Sequence, residues 1–307
     1  MIKRTILYLM FLLLCKSAFS QNRDVTITFQ YTANGDVVFM ANNSDFCDYF
    51  VTLSFNGLSN TTAPPTAQVN ARPGLSQILK LTAVRKNEPI RFGYSYSYIK
   101  GNSNPKINAQ FRYLLPVKEG KSTSANEVKN LTEFLGKPVP PNWYALSFTM
   151  DEGDTVYAAR GGVVCRINPA GKATGNTGTI YTSSTNSVEI FHEDGTIAKY
   201  DLLKNKGILV RSGQKINAGD PVGIIGKVYD SVVLNFIVYY LDKNLIQNDL
   251  GFLSAGYSSY KPKFALTEKT VGLLAPGEIY TALKPVSVIM QEMSKKEKER
   301  YLKGDKK

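Results

Sequence analysis

Apolar and polar residues alternate along much of the chain with a period of two, which is typical of β-strands. In the N-terminal part this alternation predicts strands that are separated by polar turns, at 25–31, 37–40, 49–55, 77–84 and 90–98. An Asn-Gly pair between the first two strands predicts a hairpin turn. The segment 60–74 is rich in Asn, Thr, Pro and Ala and is predicted to be a long loop. Strands at this spacing indicate an antiparallel β-sandwich-like domain over residues 22–115.

One predicted strand carries a row of alternating aromatic residues, Phe92, Tyr94, Tyr96 and Tyr98. Residues two apart on a strand share a face. Two interpretations stay open at this point. The row is either an aromatic platform on which sugar rings stack, or a packed, half-buried sheet face, which is the commoner use of such a pattern.

The rest of the chain divides into three parts. Residues 116–141 are rich in Lys, Ser, Glu and Asn and are predicted to be a linker, with a short helix at 125–135 before three prolines. Residues 142–283 are strand-rich with glycines at the predicted turns, and 284–307 is predicted to be a basic helical tail. The fold class is therefore mainly β, with two β domains and a short C-terminal helix.

The N-terminus, residues 1–20, has the pattern of a secretory signal peptide. Lys3 and Arg4 precede an apolar run over 6–14, and Ala18-Phe-Ser20 is a small-x-small cleavage site. The run is shorter than the roughly 20 apolar residues that a membrane span needs, and no other stretch is long enough. We therefore predict an exported protein of the periplasm, the cell surface or the medium. A retained anchor, or a lipoprotein signal at Cys15, remains an alternative.

The net charge of the chain bears on whether the protein binds nucleic acid. The formal net charge is +12, but the signal peptide and the tail 295–307 account for more than half of it, which leaves about +5 on the body. This excess does not by itself indicate nucleic-acid binding.

Cys47 and Cys165 lie in different predicted domains, each in or beside an apolar stretch. Export would permit a disulfide, but two separate buried thiols are the simpler interpretation.

Four sequence blocks follow one another in the second half of the chain. Residues 144–164 contain Tyr-Ala-Leu-Ser-Phe and an Arg-Gly-Gly; 188–200 contain His-Glu-Asp-Gly; 210–226 contain Ala-Gly-Asp-Pro-Val-Gly; and 233–236 read Val-Leu-Asn-Phe. In this order the blocks resemble the lysostaphin-like or LytM-type zinc metallopeptidase domain. The resemblance covers roughly 100 residues and implies a compact β fold, a duplicated hybrid motif, with a groove floored by the sheet.

Members of this family cut peptide cross-bridges of the bacterial cell wall. The resemblance implies a zinc ion that is held by two His and one Asp and that activates the attacking water, with two further His assisting. This chain departs from the pattern at all five positions, which hold Trp143, Ser147, Leu202, Val233 and Asn235. We therefore predict a degenerate member without zinc or another cofactor. We expect these five residues to meet around one spot, with apolar side chains filling the former site.

His192 is the one histidine of the chain. It matches the His-x-Asp-Gly turn of the family, which lies between two strands and away from the metal, so we predict a structural role. A relocated site built on Asp154, Asp201 or Asp230 would suit a hard cation, but the spacing of these residues does not favour it.

The sequence leaves three functional hypotheses. The leading one is an exported, non-catalytic domain that binds peptidoglycan or an envelope protein, for example a cell-wall amidase that it regulates. The second is a hydrolase with a non-standard site, for which Ser147, Asp201 and Asp230 are the available groups, although a serine triad of the usual kind lacks its histidine. The third is a structural module of an envelope assembly.

Overall fold

The computed structural model describes residues 24–128, 143–169, 186–227, 232–246 and 256–304. The predicted signal peptide and the proline-rich part of the predicted linker lie outside these ranges. Within them, no helix has both the length and the apolar character that a membrane crossing requires.

The N-terminal part is a β-sandwich of two three-stranded antiparallel sheets. Its strands are β1 (Val25–Tyr31), β2 (Val37–Asn43), β3 (Tyr49–Ser59), β4 (Thr66–Ala71), β5 (Gly74–Leu81) and β6 (Arg91–Lys100). One sheet has the order β1-β2-β5 and the other β4-β3-β6. The residues that alternate inward, such as Phe39, Val51 and Leu53, are fully buried between the sheets. The predicted sandwich is therefore confirmed.

Two local features of the sandwich show why the sequence folds this way. Gly35 in the first hairpin has a φ of +80°, and a Cβ atom there would lie 2.5 Å from the Glu88 carbonyl oxygen, so only glycine fits. The prediction of an uninterrupted loop over 60–74 is wrong, because β4 lies within it and pairs with β3. As an edge strand with a mixed polar composition, β4 lacks the apolar alternation that would have revealed it.

The remaining strands are short and mostly antiparallel. They are β7 (Arg112–Tyr113), β8 (Ser122–Glu127), β9 (Leu146–Thr149), β10 (Thr155–Tyr157), β11 (Gly162–Asn168), β12 (Ser187–Phe191), β13 (Ile197–Asp201), β14 (Leu203–Ile208), β15 (Lys215–Ile216), β16 (Pro221–Ile225), β17 (Val233–Leu241), β18 (Tyr257–Tyr260), β19 (Lys263–Ala265), β20 (Val271–Gly272) and β21 (Ile279–Thr281).

Among the described strands, the largest sheet has the order β15-β11-β12-β13-β17-β9-β8-β21, with β18 added beside β17. Two smaller sheets, β10-β16-β14 and β20-β19-β7, pack against its inner face. The core between them includes Phe148, Tyr200 and Phe236, all essentially inaccessible to solvent. The large sheet thus has one face in the core and one face that is available for other contacts.

Strand β8 corrects the sequence prediction for the connection between the two halves. The helix predicted over 125–135 is wrong where the structure describes it, since Ala125, Asn126 and Glu127 pair with β9. The remainder of that prediction, from residue 129 on, lies outside the described residues. Ala125 is buried in the core, and this tertiary contact outweighs the helix propensity of the local sequence. A segment predicted as linker therefore contributes a strand to the large sheet.

The chain ends in two short helices, α1 (Val286–Ile289) and α2 (Lys295–Leu302). The Ser294 hydroxyl accepts a hydrogen bond from the Glu297 backbone N–H, and the Glu297 carboxylate accepts one from the Ser294 N–H. This capping box fixes the start of α2. The predicted C-terminal helix is present in these two pieces.

The sandwich and the large sheet share a hydrophobic core. Cys165 and Ile197 of the large sheet pack in the same cluster as Val51 and Leu53 of the sandwich. Beside this cluster, buried Lys100 of β6 forms an ion pair with buried Glu189 of β12. The two halves are consequently joined by an apolar contact and by a charge pair that is shielded from water.

Candidate functional site

The outer face of the large sheet carries a polar row at the position where the sequence predicts the former metal site. Asp201 of β13 lies directly opposite Asn235 of β17, and Asn235 lies directly opposite Ser147 of β9. Ser147 in turn lies opposite Asn126 of β8. We call Asp201, Asn235, Ser147 and Asn126 the polar row. Opposite residues in antiparallel strands have Cβ atoms about 5 Å apart, so the row spans roughly 14 Å across four strands.

Alternation along the strands explains why these side chains face outward. In β17, Leu234 and Phe236 are buried in the core, whereas Asn235 between them is half-buried on the other face. In β9, Ser147 has the same relation to its buried neighbours Leu146 and Phe148. The apolar residues of each strand therefore hold the polar ones on the open face.

Of the five residues predicted to surround one spot, the structure brings three together. Ser147 and Asn235 are cross-strand neighbours, and Val233 lies two residues before Asn235 on the same face, opposite Thr149. Leu202 directly follows Asp201 at the edge of the row and has a φ of +69°. This left-handed conformation turns the chain sharply from β13 into β14, which belongs to another sheet.

Trp143, the fifth residue, is half-buried just before β9, and its indole Nε1 has no hydrogen-bond partner among the described residues. The sequence predicted that apolar side chains fill the former zinc site, and the sheet face differs from this prediction. Trp143, Leu202 and Val233 are not members of the hydrophobic clusters that the described residues form. The centre of the face is instead built from hydroxyl, amide and carboxylate groups.

A lysine forms an ion pair with the carboxylate of the polar row. The Lys199 ammonium group lies 2.7 Å from the Asp201 carboxylate, two residues along β13 on the same face. The other Asp201 oxygen accepts a hydrogen bond from the Leu202 N–H at 2.9 Å. The Lys199 and Asp201 side chains are 30% and 20% exposed, so both keep access to solvent. Sequence reasoning missed Lys199 and Asn126, because neither occupies one of the five positions that the family uses for zinc binding and catalysis.

The donor set of the polar row does not fit the zinc ion that the family implies. A catalytic zinc site uses three imidazole, thiolate or carboxylate ligands. Here Ser147 and Asn235 supply a neutral hydroxyl and a neutral amide, and the carboxylate of Asp201 is paired with an ammonium group. In the parts of the chain that the structure describes, no group of three or more His, Cys, Asp and Glu side chains could hold a metal ion.

Of the other carboxylates considered for a relocated site, the structure describes Asp154, which does not join the row. Asp154 lies before β10 and forms an ion pair with Lys121, which also contacts Asp151 at 2.7 Å. Asp230 lies outside the described residues. Of the two described carboxylates considered for a relocated site, Asp201 belongs to the polar row and Asp154 does not.

His192 lies at the opposite end of β13 from Asp201, at the turn between β12 and β13. Its ring is completely buried, and Nδ1 donates a hydrogen bond to the Gly161 carbonyl oxygen at 2.7 Å. Burial, together with the nearby Arg160 cation, lowers the pKa of His192 to about 3. The imidazole is therefore neutral at physiological pH and supports the turn, as the sequence predicts.

Beside this turn lies a buried cluster of charged and aromatic groups around Arg160. Its guanidinium contacts Asp194 at 2.7 Å and Glu292 at 2.5 Å, and it donates to the Tyr113 hydroxyl at 3.1 Å. It also stacks over the Phe111 ring at 3.8 Å. We call Arg160, Asp194, Glu292, Tyr113 and Phe111 the arginine cluster. Since Glu292 lies between α1 and α2, the cluster attaches the C-terminal segment to the large sheet.

The pKa shifts in the arginine cluster follow from burial and pairing. Burial opposes the charge of Arg160, but its hydrogen bond to Glu292 and the neighbouring negative groups raise the pKa of its guanidinium. Burial also disfavours the Asp194 carboxylate, yet Arg160 and Thr196 outweigh this and lower the pKa of Asp194. Burial raises the pKa of Tyr113 to about 12. The cluster thus holds one buried cation that is paired with two carboxylates.

The aromatic row of β6 lies against the other sheet of the sandwich. Phe92, Tyr94, Tyr96 and Tyr98 are half-buried against the sandwich core. The Tyr94 hydroxyl donates to the Ile27 carbonyl oxygen of β1 at 3.1 Å. Neighbouring tyrosine rings of the row stack with centroids 6.4 Å apart. This packing agrees with the half-buried sheet face weighed in the sequence and leaves less ring surface for a ligand.

Comparisons with known proteins bear on this domain. Residues 141–245 match the model of peptidase family M23. No curated protein matches the chain. The structure of Csd3 from Helicobacter pylori aligns with a TM-score of 0.28 and 13% identity, over 70% of this chain and 72% of that one. The structure of a zinc-containing peptidase from Vibrio cholerae aligns with a TM-score of 0.26 and 11% identity, over 69% and 81%.

The match to the family model coincides with the four sequence blocks and with strands β9 to β17, which include Ser147, Asp201 and Asn235 of the polar row. Residues 141–245 of this chain are therefore a domain of peptidase family M23.

Proposed function

We propose that this protein is exported and that its M23 domain binds the peptides of peptidoglycan through the polar row without cutting them. The observation that carries the proposal is the direct cross-strand alignment of Asp201, Asn235 and Ser147. The row stands where the family pattern would place a zinc site, and its groups can form hydrogen bonds but do not make a zinc ligand set.

The chemistry of the row suits an extended peptide with amide and charged groups. Asn235 offers both a donor and an acceptor, and Ser147 offers a hydroxyl. The Lys199 and Asp201 pair presents an ammonium and a carboxylate at one end, both partly accessible to water. Peptidoglycan stem peptides carry amides, carboxylates and amines, which are the complementary groups. The row's length of about 14 Å corresponds to roughly four residues of an extended chain.

The first experiment is a sedimentation assay of the purified full chain with insoluble cell-wall sacculi. We expect the wild-type protein to sediment with the sacculi and the Asn235→Ala variant to bind about tenfold more weakly, as expected for the loss of one or two hydrogen bonds. Asn217→Ala is the matched control, because Asn217 is exposed next to β15 at the far side of the large sheet. Absence of sedimentation, or equal binding by both variants, would overturn the proposal.

Two further measurements use the same samples. Soluble peptide release from the sacculi and elemental analysis for zinc test the non-catalytic part of the proposal. Peptide release, or stoichiometric zinc in the purified protein, would contradict it. A third outcome is that an added amidase digests the sacculi faster although this protein does not sediment with them. The partner would then be an envelope enzyme and not peptidoglycan.

A further inference from the structure

The two cysteines of the described residues come together at the contact between the sandwich and the M23 domain. Cys47 lies just before β3 and Cys165 lies in β11. Both belong to the same hydrophobic cluster, and their exposed fractions are 0% and 4%. The Cys47 thiol donates a hydrogen bond to the Asp45 carboxylate at 3.7 Å, the Cys165 thiol donates one to the Glu189 carbonyl oxygen at 3.5 Å, and the two thiols are close enough to shift each other's pKa. Two residues that the sequence assigns to different domains are thus direct neighbours.

The position of Cys165 in β11, beside a β-bulge, is part of the reason for this contact. Val164 pairs with Ile190 and Arg166 with Glu189, so Cys165 between them has no residue opposite it in β12. Because successive side chains of a strand point to opposite faces, Cys165 lies on the other side of β11 from Val164. Val164 remains in the core of the M23 domain, whereas Cys165 faces the sandwich and packs with its residues.

The charges around the pair favour ionisation of one thiol. Lys100 is buried and lies close enough to stabilise a thiolate on either cysteine. The interaction with Cys47 lowers the pKa of Cys165, and Lys100 acts in the same direction, against the effect of burial. The interaction with Cys165, together with burial, raises the pKa of Cys47. Such a polarised pair suits thiol–disulfide exchange, for which the thiolate is the reacting form.

We propose that Cys47 and Cys165 form a disulfide that joins the sandwich to the M23 domain covalently. The oxidant is a disulfide, RSSR, of low molecular weight or on an oxidoreductase. The Cys165 thiolate attacks one sulfur of RSSR, forms a mixed disulfide and expels RS⁻. The Cys47 thiolate then attacks the Cys165 sulfur and expels the second RS⁻. Two protein thiols are oxidised, RSSR is reduced to two RSH, and the two protons pass to the leaving thiolates.

This disulfide would close a loop that spans most of the sandwich and the connection to the M23 domain. Closing a loop on the order of 100 residues restricts the unfolded chain substantially. Because both sulfurs are buried, oxidation takes place during folding or in a brief local opening, and the finished bond is protected from reductants. The formation of this disulfide does not depend on whether the polar row binds a ligand.

The test uses the full chain, refolded with oxidised glutathione as RSSR and, in parallel, with reduced glutathione. Each sample is quenched in acid, denatured, alkylated with a maleimide and mapped by mass spectrometry. We expect a peptide pair linked through Cys47 and Cys165 in the oxidised sample only. The midpoint of thermal unfolding, Tm, should be higher in this sample by about 5–10 °C.

Matched variants separate this bond from other effects of the oxidant. Cys47→Ser and Cys165→Ser should each show the same Tm under both conditions, whereas Cys15→Ser should keep the full difference, since Cys15 lies in the predicted signal peptide. Alkylation of both Cys47 and Cys165 in the oxidised sample, or glutathione bound to either one, would overturn the proposal. The peptide map of the wild-type chain gives this answer even if a variant fails to fold.

Discussion

The polar row and the arginine cluster both include residues of the M23 domain but bury their polar groups in opposite ways. The row is half-buried or exposed, and the ion pair between Lys199 and Asp201 remains open to water. The arginine cluster holds Arg160 at 3% exposure between two carboxylates, a hydroxyl and an aromatic ring. A charge that is removed from water needs all of its partners, whereas a solvated polar group does not. We therefore expect the cluster to stabilise the fold and the row to be accessible to a ligand.

The largest effect is predicted for Arg160→Met, which leaves Asp194 and Glu292 without their counter-ion. Breaking a buried ion pair on one side typically costs about 3–5 kcal/mol. We expect a loss of this size in the free energy of unfolding, measured by urea denaturation at pH 7.5. Arg160→Lys, which keeps the charge but lacks the planar fork, should fall between this variant and the wild type. A loss below about 1 kcal/mol for Arg160→Met would show that the cluster is not a stabilising unit.

The second prediction concerns pH and His192. Its pKa is lowered from 6.5 to about 3 in the folded protein, so the unfolded chain binds the proton more readily. The stability that neutral His192 contributes is therefore fully present above pH 6.5 and is lost as the pH falls toward 3. Between pH 6.5 and 4.5 the expected loss is on the order of 2–3 kcal/mol.

His192→Phe provides the test of this pH dependence. Phenylalanine keeps a ring near Tyr113 but cannot titrate or bond to the Gly161 carbonyl, so it should be less stable at pH 7.5 and lose less stability between pH 6.5 and 4.5. Of the charged groups that face His192, Arg160 stays protonated throughout. The pKa of Asp194 is lowered below 3.8, so its own effect falls at a more acidic pH. Equal slopes for both proteins would contradict the assignment.

A smaller effect is predicted for Tyr113→Phe, which removes the hydroxyl that accepts a hydrogen bond from Arg160. The loss of one partner from a buried charged group should cost about 1–2 kcal/mol in the free energy of unfolding. Tyr260→Phe is the control, because its hydroxyl makes a longer bond of 3.4 Å to the Asn108 carbonyl at the surface. If both variants lost equal stability, the hydrogen bond inside the cluster would contribute no more to the free energy of unfolding than the one at the surface.

The two regions also differ in how far the sequence predicted them. The resemblance to the family predicted that Ser147, Val233 and Asn235 lie close together, and in the structure the alternation along β9 and β17 puts them on one face of the sheet. Asn126 and Lys199 were missed. The first lies in a segment whose local sequence suggested a helix, and only its pairing with β9 makes it part of the row.

The arginine cluster could not be predicted at all from local patterns. Arg160, Asp194 and Glu292 are far apart in the sequence, and a buried arginine has no signature that distinguishes it from an exposed one. The same holds for Cys47 and Cys165, which were interpreted as separate thiols because each lies in its own predicted domain. Contacts between distant segments depend on how the sheets pack, which alternation and turn signals do not specify.

The smallest effect on stability is predicted for the polar row itself. Asn235→Ala should change the free energy of unfolding by no more than about 0.5–1 kcal/mol, because the side chain is half-buried and water can replace its hydrogen bonds. The adjacent residue gives a strict control, since Leu234 is fully buried on the opposite face of β17 and Leu234→Ala should cost about 2–5 kcal/mol.

The two variants together separate binding from folding. If Asn235→Ala weakens sedimentation with sacculi about tenfold while its unfolding curve stays close to the wild type, the row acts on the ligand and not on the fold. A loss above about 2 kcal/mol for Asn235→Ala would instead give the row the same structural character as the arginine cluster. The contrast between the two regions would then disappear, and the substituted zinc site would be one more part of the packing of the sheet.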